Sequence, residues 1–284
     1  MFGNNNIGIW DHSGRSTYHS LQTQFVSRFA RGSQFQTSYT LSRSRANFNL
    51  ADSGGSPARE TATVDNQNPD LDWGRPATGR THIFNASLIW LLPSLEGRSA
   101  AVRGIVGDWE VATIVGAATG QPLTMYTGSL PGLNGGPSGT GFTDNQMPNR
   151  VASEPCRASG LPEQIVNPKA YTLDGFQLGA IGTARRGDCD GPGYFQTDLA
   201  SYKNIPIGGN RKLQFRWDIF NIFNNTNFLF LVDNYIMNPT ALVLNNSDPT
   251  KASAITSATI PTNFGQATRT RDPLQMQIGF KLLF

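Results

Sequence analysis

Residues 272–284 read DPLQMQIGFKLLF, and their side chains fall into two alternating sets. One set is apolar throughout: Met276, Ile278, Phe280, Leu282 and Phe284. The other set is mostly polar: Gln275, Gln277, Gly279, Lys281 and Leu283. Successive side chains of a strand point to opposite faces, so this period of two predicts a strand with one apolar face and one wet face.

The same alternation recurs along the chain and predicts seven antiparallel strands. They cover residues 17–29, 33–43, 80–91, 107–125, 193–204, 211–223 and 273–284. The connections alternate in length: short at 30–33, 93–107 and 204–211, and long at 44–79, 126–192 and 225–270. Successive connections of an antiparallel meander lie at opposite ends of the sheet. All the short connections therefore share one end, and all the long ones share the other.

Composition excludes two other classes of protein. A helical membrane protein is excluded, because hydrophobic residues make up only 38% of the 284 residues. The longest apolar run, residues 88–92, is also far shorter than the ~18 residues that a spanning helix needs. The net charge of +3 is small and its basic residues are scattered, so no nucleic-acid partner is expected. Charged residues make up only 15% of the chain, against roughly 25% in typical soluble domains.

Two folds compete for this pattern: a soluble β-sandwich and an outer-membrane barrel. Barrels of the outer membrane have short periplasmic turns, long extracellular loops and strands of about ten residues that alternate apolar-out and polar-in. Mid-strand polar side chains such as Gln22, Gln36 and Arg216 would be costly in a sandwich core but suit a hydrated lumen. The sequence therefore predicts an all-β fold: an antiparallel, up-and-down transmembrane β-barrel wall of about seven strands, a partial barrel with long extracellular loops.

Three stretches carry a resemblance to a known family. They are GPGYFQTDLASYKNIPIGGNRKLQFRWDIFNIFNNTNF at 191–228, NFGQATRTRDPLQMQIGFKLLF at 263–284 and DWEVATIVGAATGQPLTMYTG at 108–128. They resemble the C-terminal barrel of TonB-dependent outer-membrane receptors, in particular the Oar-like branch, whose members often carry a carboxypeptidase-regulatory-like domain. The resemblance implies location in the bacterial outer membrane. It also implies a role in transport or reception of a ligand that the sequence does not name.

The end of the chain also resembles the signal that the barrel-assembly machinery recognises in such proteins. A polar residue, a glycine two positions later, a hydrophobic position and a terminal aromatic residue are present as Gln277, Gly279, Leu282 and Phe284. The resemblance therefore implies two partners, the lipid of the outer membrane and the assembly machinery. It implies a third, the energy-coupling TonB complex, through an N-terminal part that these residues lack.

The chain departs from the family pattern in ways that predict a fragment. Residues 1–284 contain no plug, energy-coupling box or signal peptide, and an odd strand number is unusual because bacterial single-chain barrels are even. We therefore expect the whole chain to be the C-terminal part of a longer receptor, supplying barrel wall, extracellular loops and assembly signal. The alternative is a soluble or surface-exposed β-rich module for binding or adhesion.

Few residues suggest local chemistry. Cys156 and Cys189 fall in one predicted extracellular loop, in an oxidising compartment, and are a possible disulfide. Four charged residues are predicted to face the lumen: Asp198, Arg216, Asp218 and Lys281. The glycine-rich stretch 132–141 and the DCDG stretch 188–191 are interpreted as a flexible loop and a turn. No catalytic grouping, metal site or cofactor is expected, so the protein is not expected to be an enzyme.

Overall fold

Seven long strands follow one another in a single antiparallel sheet. They are β1 (Ser16–Arg28), β2 (Gln34–Ala46), β3 (His82–Leu91), β4 (Trp109–Ala118), β5 (Tyr194–Gly208), β6 (Arg211–Phe220) and β7 (Gln275–Leu283). The computed structural model describes residues 12–47, 64–65, 68–128, 146–177, 181–209, 211–229, 236–237, 239–245 and 254–284. Each strand pairs with its neighbour in the chain, so the order in the sheet is β1 to β7, as the sequence predicts.

The sheet is open in the described part of the chain, where β1 and β7 are its two edges. Each consecutive pair is antiparallel, so the odd-numbered strands, including both edges, run in the same direction.

Short and long connections lie at opposite ends of the sheet, as predicted. The short ones are 29–33, 92–108 and 209–210. All three contain left-handed backbone, with φ of 64° at Arg31, 85° at Gly32, 89° at Gly97 and 58° at Gly209. The second, 92–108, also contains a helix, α1 (Ala100–Val106), where the sequence suggested only a link. Within the described residues, no helix is both long enough and apolar enough to span a membrane.

Two strands end three or more residues earlier than the sequence predicts, and β5 runs further, to Gly208 rather than residue 204. β4 stops at Ala118 rather than at residue 125, because the chain turns where its backbone meets another segment. A Cβ atom at Gly120 would lie 1.9 Å from the carbonyl oxygen of Gly191. β6 stops at Phe220 rather than at residue 223, because Asn221 adopts a left-handed φ of 52° and its side chain bonds the following turn.

Of the three long connections, 47–81, 119–193 and 221–274, the second and third contain short ladders of their own within the described residues. Pro122–Leu123 pairs with Cys189–Asp190, Asn149–Arg150 with Tyr171–Thr172, Phe228–Leu229 with Arg269–Thr270, and Ala241–Leu244 with Ile255–Thr259. The long connections also contain two 3-10 turns, Pro69–Asp72 and Pro168–Ala170. A third, Ala30–Gly32, lies in the short connection between β1 and β2. We call the described parts of the three long connections the loop cap.

Candidate membrane-facing wall and loop cap

The register of the seven strands joins their apolar residues into one continuous face. Directly paired residues lie on the same face of a sheet. One row crosses from Trp90 through Val111, Ser201 and Trp217 to Ile278. A second row, towards the loop cap, runs through Thr23, Tyr39, Phe84, Ala117 and Phe195. We call this side of the sheet the apolar face.

Large side chains of the apolar face are exposed. Phe25 is 57% exposed, Trp90 52%, Ile278 62% and Phe280 69%. A soluble protein rarely presents so large a contiguous apolar surface to water. The apolar face therefore needs an apolar surrounding, and nothing within the described chain covers it.

Aromatic residues form a row near the short connections. Trp109 pairs across the ladders with Lys203, then Phe215 and Phe280. The rings of Trp109 and Phe215 are 6.0 Å apart, and those of Phe215 and Phe280 are 5.4 Å apart. The buried Lys203 ammonium lies 5.2 Å from the Trp109 ring and donates to the carbonyl oxygen of Gly107 at 2.5 Å. Such a row, with a lysine that bends towards the strand ends, is typical of a membrane interface.

The opposite, polar face carries the charges that were predicted to face a lumen. The structure brings Arg216 and Asp218 together, with Nε and Oδ2 2.5 Å apart, and the Arg216 guanidinium lies 5.2 Å from the Tyr202 ring. Asp198 instead accepts bonds from the Asn221 amide and from Gln196.

Lys281, the fourth of these charges, lies opposite Gln214 across the β6–β7 ladder. In the described part of the chain it forms no ion pair, and neither does Asp198. All four charges are nevertheless on the polar face. The structure therefore places them on one side of the sheet but does not join them in a single charge network.

The four positions that resemble an assembly signal lie on or beside the edge strand β7. Leu282 and Phe284 are on the apolar face, and Phe284 is 88% exposed. Gln277 and Gly279 are on the polar face, opposite Asp218 and Arg216. A Cβ atom at Gly279 would meet nothing within 4 Å, so packing in this sheet does not require a glycine there.

The hydrophobic core of the molecule lies in the loop cap rather than behind the sheet. Its buried members come from the second and third long connections and include Met125, Tyr126, Met147, Val166, Tyr171, Leu173, Phe176, Met237, Ile255 and Phe264. The rings of Tyr171 and Phe264 meet edge to face at 6.5 Å, which joins the two connections. The cap is therefore a packed unit with an interior of its own.

Two further links brace the loop cap. Cys156 and Cys189 form a disulfide with their Cα atoms 5.7 Å apart. Asp72, from the first connection, forms a fully buried ion pair with Arg186, from the second.

The DCDG stretch contributes to this packing. Asp188 accepts a 2.8 Å hydrogen bond from the Tyr171 hydroxyl and lies 3.6 Å from the Arg150 guanidinium. Asp190 pairs with Arg75 at 2.7 Å. Burial raises the pKa of Asp188, although Tyr171 and Arg150 act in the opposite direction, and burial also raises the pKa of the Tyr171 phenol. The carboxylates of this stretch are thus engaged by protein groups, whereas the stretch 132–141 lies outside the described residues.

Sequence reasoning missed the cap as a packed unit. Its signal was present as apolar pairs within the long connections, such as Met125 with Tyr126 and Ile165 with Val166. These pairs have neither the period of a strand nor that of a helix, so they escaped a search for periodicity.

The fold and its two faces define a class of protein: the wall of a β-barrel whose apolar face meets lipid. A family model described as an outer membrane beta barrel domain matches residues 1–277. The chain belongs to this family of outer-membrane β-barrel domains, and the protein resides in the bacterial outer membrane. Comparisons with curated proteins and with solved structures gave no match.

Proposed function

We propose that this chain supplies the C-terminal part of the barrel of a TonB-dependent receptor or transporter, of the Oar-like branch. Its contribution is a stretch of barrel wall, the extracellular loop cap and the signal for assembly into the membrane. The reaction it serves is the passage or recognition of a ligand rather than a chemical conversion.

One observation carries the proposal: in the described part of the chain, the seven-stranded sheet has a continuous apolar face and two open edges. In lipid, every backbone N–H and C=O must be bonded within the protein, so an open edge is costly. The edges β1 and β7 therefore need partner strands. Since both edges run in the same direction, an all-antiparallel closure needs an odd number of further strands between them.

The loop cap supports the same reading. Receptor barrels present long extracellular loops, and a cap with a buried core and a covalent brace offers a shaped surface to an incoming ligand. The soluble binding or adhesion module is disfavoured, because the family match and the exposed apolar face both require a membrane.

The proposed partners follow from position. The apolar face would contact outer-membrane lipid, the terminal strand would be recognised by the barrel-assembly machinery, and the energy-coupling TonB complex would act on a part that precedes these residues. Gly279 fits recognition during assembly, since the folded sheet leaves space around it and imposes no need for glycine.

Uptake in living cells tests the proposal. The longest natural polypeptide that contains residues 1–284 would be expressed in cells with and without the TonB energy-coupling protein. Candidate ligands would be identified by comparing uptake from a mixed nutrient extract with uptake by cells that lack the polypeptide. We expect surface binding in both strains and uptake only with TonB; uptake that is equal in the two strains would refute the receptor role.

A further inference from the structure

A cavity of about 620 Å³ lies where β1 and β2 reach the loop cap. Three arginines line it, Arg43, Arg75 and Arg80, and no described residue of its lining is a carboxylate. Leu21 and Leu41, which pair across the β1–β2 ladder, give it an apolar wall. Its volume is within the range of sites that hold small organic molecules.

The positive charge of the cavity is only partly balanced. Arg75 is paired with Asp190, and its Nε donates to the carbonyl oxygen of Gly187 at 2.8 Å. Arg43 and Arg80 form no ion pair within the described residues. Arg80 donates instead to the carbonyl oxygen of Thr119, at 2.5 Å, which leaves its charge uncompensated.

A second arginine increases the charge around Arg80. The guanidinium of Arg80 lies 5.6 Å from the ring of Tyr194, and that of Arg271 lies 5.4 Å from the same ring. Burial lowers the pKa of Arg80; the nearby Tyr194 opposes this, and Arg271 lowers it further. Tyr194 and Arg271 do not line the cavity themselves, but the second positive charge beside Arg80 means that an anion in contact with Arg80 would be stabilised.

We propose that this cavity binds a phosphate group attached to an apolar chain. The guanidinium groups of Arg43 and Arg80 would donate to the phosphate oxygens, for which their planar fork is suited. Leu21 and Leu41 would contact the chain. The phosphate has two possible sources, a lipid headgroup of the surrounding membrane or a phosphorylated solute, because the cavity lies at the end of the apolar face.

Binding of two probes to the intact polypeptide in maltoside micelles tests this inference. n-Hexyl phosphate serves as the soluble probe and dimyristoyl phosphatidic acid, mixed into the micelles, as the lipid probe. Titration calorimetry at fixed ionic strength measures the binding of hexyl phosphate. The change in the ³¹P signal of the phosphatidic acid when the polypeptide is present measures the binding of the lipid. The inference is independent of the receptor role, since it requires neither TonB nor uptake.

The variants are Arg43→Gln and Arg80→Gln, with Arg45→Gln as the matched control on the same strand, two residues from Arg43 and outside the cavity lining. We expect the first two to weaken binding by about tenfold or more, because each removes charged hydrogen bonds, and the control by less than about twofold. Arg43 is exposed, so its variant remains informative if loss of the Arg80–Thr119 bond disturbs the cap.

If hexyl phosphate binds and both Arg43→Gln and Arg80→Gln weaken its binding, the cavity is a solute site. If only the lipid probe binds, and the same two variants weaken its binding, the cavity is a headgroup site. Either result supports the phosphate site. The inference is overturned if neither probe binds, or if all three variants weaken binding equally, since that would reflect only the general charge of the surface.

Discussion

Asp72 and Arg186 lie 114 positions apart in the chain and form an ion pair that solvent does not reach. Their Oδ1 and Nη2 atoms are 2.5 Å apart, and Arg186 Nε also donates to the Asp72 carbonyl oxygen at 3.0 Å. The second carboxylate oxygen of Asp72 accepts from the Val64 amide at 2.9 Å. One buried carboxylate thus holds the first long connection against the second.

Removing that carboxylate should loosen the loop cap strongly. We expect Asp72→Ala to destabilise the cap by about 3–5 kcal/mol, because it leaves the Arg186 charge buried without its carboxylate. The nearby Asp70→Ala is the control: Asp70 pairs with Arg15 at the surface, and exposed pairs contribute about 0–1 kcal/mol. Urea dependence of protease resistance in the cap measures both variants. Similar midpoints for Asp72→Ala and Asp70→Ala would contradict the account.

The disulfide should stabilise the same unit. Cys156 and Cys189 are 33 positions apart, and closing a loop of that length contributes about 3–4 kcal/mol in the chain-entropy model. Protein taken from the cell envelope should show no free thiol on alkylation under denaturing conditions. A paired Cys156→Ser/Cys189→Ser variant should lose protease resistance in the cap while the sheet remains folded. Free thiols in untreated material would show that the bond does not form in the cell.

Stability of the cap should depend on pH through Asp188. Its pKa in the folded cap is raised above its unfolded value by burial, so the folded state holds the proton more tightly. Stability from this group is present below the unfolded pKa and is lost as pH rises through the folded pKa. We therefore expect the cap to become less stable as pH increases from the ordinary aspartate range towards neutral.

Asp188→Asn should remove this part of the dependence, because the neutral amide oxygen can still accept the Tyr171 hydroxyl hydrogen. Asp174→Asn, at an exposed position of the same connection, should leave it in place. Thermal unfolding of the cap across the pH range compares the three proteins. If the decrease of cap stability with pH persists in Asp188→Asn, another titratable group causes it.

The sheet was predictable from sequence because its signal is local. A period of two places Phe215 and Trp217 on one face and Gln214 and Arg216 on the other, whatever the rest of the chain does. The alternation of short and long connections then assigns the short connections to one end of the sheet and the long ones to the other. The face of each strand therefore follows from a few neighbouring residues.

The cap was not predictable, because its contacts are distant in sequence and lack a period. Nothing near Asp72 indicates Arg186 as its partner, and the early end of β6 depends on the backbone of the single residue Asn221. The prediction that Cys156 and Cys189 pair rested only on the presence of two cysteines in one loop and on the oxidising compartment of that loop. It could therefore be made without knowing the path of the loop.

The proposal that this sheet is part of a larger barrel makes a prediction about residues 1–284 expressed alone behind an added signal peptide. Among the residues that the structure describes, the edges β1 and β7 have rows of backbone groups with no partner strand, which lipid does not tolerate. We expect no heat-modifiable, protease-resistant monomer in outer-membrane fractions. A stable monomer of that kind would show that these residues close a barrel by themselves.

The central claim, that the apolar face meets lipid, is tested most directly by two neighbouring substitutions on β6. In the intact polypeptide, Phe215→Arg places a charge on the apolar face, at a cost of up to about 2–4 kcal/mol that depends on its depth in the bilayer. Gln214→Arg places the same charge on the polar face, opposite Lys281, at a cost below about 1 kcal/mol. The measurement is the heat-modifiable, folded fraction of each variant in outer membranes. The account predicts a clear loss for Phe215→Arg and a near-normal fraction for Gln214→Arg; equal fractions, or the reverse order, would contradict it.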